Sequence, residues 1–334
     1  MIKYLGSKRL LVPRIVELAR GLPGVCTVLD AFSGTARVGH ALKAAGLRVT
    51  ANDHNAYAAT LARCYVQVDR DRLAAEAERR LAELRRVPGR PGWFTATYCE
   101  RARYFHPRNG ERIEAMRATL AAWALEPELE AVLLVALMEA ADRVDSTVGV
   151  QMAYLKSWAP RALRDLELRL PALLPGPGRA LQGDALDAVH AVEADLVYLD
   201  PPYNQHSYRG NYHVWETLVR WDQPEVYGVA CKRVDCRTQR SPYNSRRLIG
   251  PALAELVAAC RSRYLLVSFS NEGFLDRAAI EPLLATHGSV ATVEVDYKRY
   301  VGAQIGIHNP RGERVGAVSH LRNKELLYLV RRAS

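Results

Sequence analysis

The sequence predicts an α/β protein built on a mostly parallel sheet. Two patterns carry that expectation: short apolar runs of strand length alternate with helical stretches, and acidic or small residues follow several of those runs. The strand-like runs cover residues 25–32, 47–52, 180–182, 196–199, 264–269, 291–295 and 326–330. Helical periodicity fills 10–20, 37–45, 56–66 and 252–261. Strand and helix in alternation imply a parallel sheet covered on both faces. No long helix separates the last two runs, and residues 300–325 read as an extended loop, so those two strands are expected to pair antiparallel.

Residues 69–178 interrupt the alternation. They are helical and charged over 69–86, 111–124 and 128–143. Pro88-Gly89-Arg90-Pro91-Gly92 punctuates this stretch and Pro175-Gly176-Pro177-Gly178 closes it. The expected organisation is a core made of 1–68 and 179–334, with 69–178 as a helical insert.

Composition narrows the class. The 334 residues are 49% hydrophobic and 25% charged, as in soluble globular proteins. The apolar run at 131–138 lies between Glu130 and Glu139 and is too short to span a bilayer. No apolar stretch precedes Arg9 and Arg14, so the start does not read as a signal peptide and the expected location is the cytoplasm. The six cysteines form no Cys-x-x-Cys pair and no histidine cluster completes a zinc set; reduced thiols and no metal are expected. A net charge of +10 suits a polyanionic partner. Residues 228–247 hold six basic residues against one acid, which makes Arg233, Arg237, Arg240, Arg246 and Arg247 candidate phosphate contacts.

The most informative residues are Asp200-Pro201-Pro202-Tyr203, directly after the buried-strand pattern at 195–199. The carboxyl end of such a strand is where open α/β sheets bind ligands. An acid, two prolines and an aromatic ring there form a rigid cup for a planar group bearing an amine. Asp200 accepts a hydrogen bond from the amine, a carbonyl beside Pro201 accepts a second, and Tyr203 offers a stacking face. Tyr208 and Arg209, a few residues on, are candidates to touch the bound base or its phosphates.

A second set suits a nucleoside-like cofactor. Asp30-Ala31-Phe32-Ser33-Gly34-Thr35 follows the first strand and precedes a helix, and its small residues let a ligand approach the backbone. Gly-x-Gly-x-x-Gly is absent, which disfavours a dinucleotide. Asp53 ends the second strand, where an acid grips a ribose diol. Asp184 ends the next strand and either accepts from an adenine amine or caps the following helix. Near the N-terminus Tyr4 and Lys8 precede a helix, with Ser7 as its expected cap and Lys8 in reach of a ligand carboxylate.

Together and in this order, Tyr4-Leu5-Gly6-Ser7-Lys8, the 30–35 turn, Asp53, Asp184 and Asp200-Pro201-Pro202-Tyr203 resemble the adenine-specific DNA methyltransferase family of the DNA adenine methylase type, alpha group. The resemblance implies a Rossmann-like seven-stranded methyltransferase sheet with a reversed last strand, and S-adenosylmethionine as donor. It implies that Phe32, Gly34, Asp53 and Asp184 line the cofactor pocket, that Tyr4 and Lys8 close it, and that the 69–178 insert recognises the target. The family turn often carries a second glycine where this chain has Ala36.

The implied reaction is methyl transfer to N6 of an adenine flipped out of duplex DNA, with a cognate restriction endonuclease as a further partner of such enzymes. Methylation of cytosine N4 uses the same cup and is the first alternative. A base-amine methyltransferase acting on RNA and a metal-dependent nuclease using Glu294, Asp296 and Lys298 are the others; a protein glutamine methyltransferase fits less well, because its motif usually begins with Asn.

Overall fold

Alternation of apolar residues along the central strands explains how one sheet supports two cores. In β1 (Thr27–Asp30), Val28 faces one apolar cluster and Leu29 the other. In β4 (Leu196–Leu199), Leu196 and Tyr198 face the first cluster while Val197 and Leu199 face the second. Both strands are therefore buried on both sides, as parallel strands under two helical layers must be.

The computed structural model describes residues 1–298, 307–308, 314–316 and 322–332. Beside β1 and β4 the sheet contains β2 (Arg48–Asp53), β3 (Arg179–Gln182), β5 (Tyr264–Ser270), β6 (Ser289–Lys298) and β7 (Arg322–Arg331). Their order is β3-β2-β1-β4-β5-β7-β6. Strands β1 to β5 are mutually parallel, and β7 is antiparallel to both β5 and β6. The last strand in the chain is thus the reversed one, wedged second from the edge. The expected strand positions hold, but β6 and β7 reach well beyond 291–295 and 326–330. The ladder runs on to Lys298 opposite Arg322, and Lys324 in the added part of β7 pairs with Glu294 at 2.9 Å, so pairing continues where the apolar pattern stops.

The α-helices of four residues or more among the described residues are α1 (Val12–Arg20), α2 (Arg37–Ala44), α3 (Ala56–Ala62), α4 (Arg70–Arg85), α5 (Pro107–Trp123), α6 (Pro127–Arg143), α7 (Ala185–Ala191), α8 (Tyr208–Asn211), α9 (His213–Arg220), α10 (Ile249–Ala259) and α11 (Arg277–Ala285). The first helix is broken: a 3-10 turn over Lys8–Leu10 precedes α1, and Ser7 makes no capping bond through its side chain. Helix α5 starts four residues before the expected 111, because Pro107 fits a first helical turn.

The 69–178 insert has the expected helices α4, α5 and α6. It does not build a core of its own: Leu81, Tyr98 and Leu137 join the cluster that holds Val28 and Leu196. Helix α6 is apolar on nearly every side and buried accordingly. Among the described residues no helix is long and apolar enough to cross a membrane. Of the expected 300–325 loop, Ile307–His308 and Arg314–Gly316 pair antiparallel and β7 begins at Arg322; 300–306, 309–313 and 317–321 lie outside the described residues.

Candidate active site

The strand order reverses between β1 and β4, so the chain leaves their carboxyl ends in opposite directions and a crevice opens between. A cavity of ≈ 350 Å³ lies there, and both Asp30 and Asp200 line it. The register places Asp30 opposite Tyr198, two residues before Asp200.

The turn after β1 is held by its neighbours. Gly34 (φ +52°) and Ala36 (φ +58°) are both left-handed. Glycine adopts this shape freely; for Ala36 it costs about 1 kcal/mol, so the chain keeps the turn without the family's second glycine. Asp53 Oδ2 accepts from the Gly34 N–H at 3.0 Å, and its Oδ1 accepts from the Asn55 backbone at 2.9 Å and side chain at 3.1 Å. Asn52 Nδ2 donates to the carbonyls of Ala31 (3.2 Å) and Gly183 (3.1 Å), tying three strand ends together.

Aromatic rings complete the walls. Tyr4 stacks between Tyr208 (5.1 Å between centroids) and Tyr212 (4.6 Å), and its hydroxyl lies 3.2 Å from that of Tyr57. It roofs the turn: a Cβ at Gly34 would stand 3.4 Å from the Tyr4 ring. Phe32 meets Tyr243 edge-on at 5.3 Å. Ser33 and Thr35 are buried on the cavity wall. Asp184 also reaches the wall, and it does cap α7, its Oδ1 accepting from the Leu186 N–H at 2.8 Å.

This wall carries unanswered polarity. Ser33 Oγ, Asn52 Oδ1 and Asn55 Oδ1 are buried without a hydrogen-bond partner, and the buried Asp30 carboxylate has only the backbone N–H groups of Phe32 and Gly39 beside it. Such atoms are costly unless a ligand or water satisfies them. Burial, followed by the charges of Asp200 and Asp53, pushes the Asp30 carboxyl up to about 8. A polar, cationic ligand of nucleoside size fits these walls.

On the other side, Asp200 Oδ1 lies 3.0 Å from Lys8 Nζ. Lys8 also donates to Glu325 of β7, which accepts at 2.8 Å from Ser268 of β5. The expectation that Lys8 reaches a ligand carboxylate is corrected in part: it lines the cavity, but two protein carboxylates hold its ammonium. Burial would lower the Lys8 ammonium; Asp200 and Glu325 outweigh it and hold it well above its usual value. Burial raises Asp200 to about 6, with Lys8 opposing and Glu325 adding to the rise. Pro202 lines the cavity, and Pro201 is buried. Tyr203 is half-buried, 6.0 Å from the Phe269 ring, with Lys8 Nζ 5.6 Å from its own centroid; it sits at the cup without lining the cavity itself.

The basic candidates divide. Arg233 is 2% exposed, and its guanidinium binds Asp222 at 2.7 Å and Asp235 at 3.0 Å. The expectation of a phosphate contact is wrong for this residue, because its charge is spent inside the fold. Arg209 is buried too, 3.6 Å from Glu216 and 3.5 Å from Asp235, although it and Tyr208 line the cavity. Arg237, Arg240, Arg246 and Arg247 are exposed. Arg240 stands on the cavity wall; Arg237 lies 3.8 Å over the Tyr227 ring and Arg246 5.2 Å over Phe274. Glu294 of the nuclease alternative is neutralised by Arg277 and Lys324, each at 2.9 Å, on the edge strand β6; the Lys298 side chain lies outside the described residues.

No local pattern in the sequence marks Tyr57, Tyr243 or Glu325. Each acts through a partner far away in the chain: Tyr57 through Tyr4, Tyr243 through Phe32 and Glu325 through Lys8.

Comparison with known proteins agrees with this geometry. Residues 4–270 match the model of the D12 class N6 adenine-specific DNA methyltransferase family. The type II methyltransferase M.NlaIII of Neisseria lactamica is 30% identical over 81% of this chain and 83% of its own. The type II methyltransferase M.FokI of Planomicrobium okeanokoites is 36% identical over 60% of this chain, and the modification methylase StsI of Streptococcus sanguinis is 26% identical over 90%. Those two proteins are longer, and the match spans 32% and 49% of them.

Proposed function

The chain belongs to the D12 class N6 adenine-specific DNA methyltransferase family, and from that premise we infer that Asp200 and the Pro201 carbonyl accept the amine of an adenine flipped out of duplex DNA. The observation that carries the assignment is the cavity shared by Asp200 and the turn from Asp30 to Thr35, at the switch point of the sheet.

S-adenosylmethionine, when bound, supplies a methyl group activated by its sulfonium. Asp53 is suited to the ribose hydroxyls, Asp184 to the adenine amine, and Asp30 to a cationic group of the cofactor. Phe32 offers a ring to the adenine, Gly34 lets the ligand approach the turn, and Ser33 and Thr35 add hydroxyls. Tyr4 closes the roof.

The target nitrogen is a weak nucleophile because its lone pair is delocalised into the ring. Two acceptors on its N–H bonds favour a more pyramidal nitrogen, with the lone pair directed at the methyl group. Preorganised acceptors and positioning supply most of the acceleration. Flipping costs a few kcal/mol, and stacking on Tyr203 offsets about 1–3 kcal/mol of it. Tyr208, on the cavity wall, is suited to contact the extruded nucleotide, while Glu216 and Asp235 hold Arg209 within that wall; Arg237, Arg240, Arg246 and Arg247 are suited to phosphates. The 69–178 insert is assigned to target recognition. A cognate restriction endonuclease as partner and a cytoplasmic location complete the proposal.

The test is to methylate duplex DNA with labelled S-adenosylmethionine, digest it to nucleosides and weigh the product. N6-methyladenine is expected. N4-methylcytosine, or label confined to RNA added in competition, overturns the assignment.

A further inference from the structure

Glu325 is 1% exposed on β7, and neither the cofactor turn nor the Asp200 motif accounts for it. A buried carboxylate costs several kcal/mol of desolvation, and an apolar side chain would stabilise the fold better. Its neighbours give it a use. Glu325 takes the Lys8 ammonium from one side while Asp200 takes it from the other at 3.0 Å, and Ser268 Oγ fixes Glu325 at 2.8 Å. Two carboxylates around one ammonium leave the group with a net charge of −1. Without Glu325, Asp200 and Lys8 would be a neutral pair.

That surplus charge matters for the inferred reaction. As the N–C bond forms and the C–S bond breaks, the electron pair of the old bond stays on sulfur and positive charge develops on the adenine nitrogen. The proton is then lost from that nitrogen to an acceptor or to water. A net negative cluster beside the nitrogen stabilises the charge as it develops; a neutral ion pair does so far less. We propose that Glu325 is a positioning residue for methyl transfer: by sharing Lys8 it keeps Asp200 from being consumed in an ion pair and leaves it an electron-rich acceptor for the amine. This inference rests on the assignment of Asp200 as acceptor.

The groups that face Asp200 are Lys8, Glu325, Asp30 and the phenols of Tyr198, Tyr203 and Tyr208. Burial holds Tyr198 and Tyr208 well above the usual phenol value, and Asp30 is protonated below about 8. Asp200, raised to about 6, is the group to which we assign the acid limb, and Asp200→Asn tests that assignment.

The experiment is single-turnover methylation of duplex DNA by the full chain across pH 4.5 to 8.5, with cofactor affinity and Tm measured in parallel. In Glu325→Gln the acid limb is expected to move down by about one pH unit. Its plateau rate is expected to fall about tenfold or more while cofactor affinity holds. Glu325→Asp, which keeps the charge, is expected to keep the limb within a few tenths of a unit of the wild type. Ser268→Ala removes a donor from Glu325 and strengthens its hold on Lys8, so the limb moves slightly up; this sign decides the matter where Glu325→Gln does not fold. A limb that stays put in Glu325→Gln, or in Ser268→Ala where Glu325→Gln does not fold, overturns the role of Glu325 alone. A wild-type limb that survives Asp200→Asn refutes the assignment of Asp200 beneath it.

Discussion

Replacing Asp200 by Asn isolates its charge from its shape. The amide keeps the size of the carboxylate, and Lys8 keeps Glu325 as a partner, so no buried ammonium is stranded. Two effects are expected. First, a neutral acceptor replaces a charged one at the point where positive charge develops. Loss of one preorganised electrostatic partner typically lowers kcat by about 10²–10³, or about 3–4 kcal/mol. Second, the pH dependence changes. With Asp200 raised to about 6, the ionised fraction is about 99% at pH 8 and about 10% at pH 5, so the wild-type rate at pH 5 is roughly a tenth of that at pH 8. The sign follows from the ionised form being the acceptor: activity appears as pH rises through about 6. Stability runs the other way. The folded state holds the Asp200 proton more tightly than the unfolded chain, so this group's contribution falls as pH rises from about 4 to about 6. The assay is single-turnover transfer of labelled methyl to duplex DNA at saturating enzyme, with cofactor binding measured alongside. An Asn variant within fivefold of the wild type, or one that keeps the limb near pH 6, would falsify the role of Asp200.

Three more outcomes are expected. Asp30 is raised to about 8 by burial, so the wild type loses stability as pH rises from about 4 to about 8; Asp30→Asn should flatten that curve and melt higher than the wild type at pH 8.5, and parallel melting curves across pH would remove the argument. Replacing Arg237, Arg240, Arg246 and Arg247 together by Ala should shrink the slope of log K against log salt by about 0.9 for each phosphate that is no longer neutralised. Arg233→Ala should leave that slope alone and cost about 3 kcal/mol of stability, because Asp222 and Asp235 lose their buried partner; a slope change with unchanged Tm would reverse these roles.

Much of the fold was legible in the sequence because its signals are local. The run at 196–199 is β4 to the residue, since four consecutive apolar side chains can be satisfied only by burial on both faces. The long ends of β6 and β7 were not legible: their polar residues gain stability from each other across the ladder, and neither carries that information alone. The basic run at 228–247 illustrates the same limit. Arg233 and Arg237 are four residues apart with equal charge, yet one is buried between acids and the other exposed over a tyrosine ring.

Sequence alone determined which groups stand at the strand ends, because Asp30, Asp53, Asp184 and Asp200 each follow a strand or turn pattern that propensity and burial dictate within a few residues. Tertiary structure decided what those groups experience. Lys8 and Glu325 are 317 positions apart and meet only when β7 slots in beside β5. Charge and hydrogen bonding depend on distances of a few ångströms through a desolvated interior, and those distances are fixed by packing the whole chain.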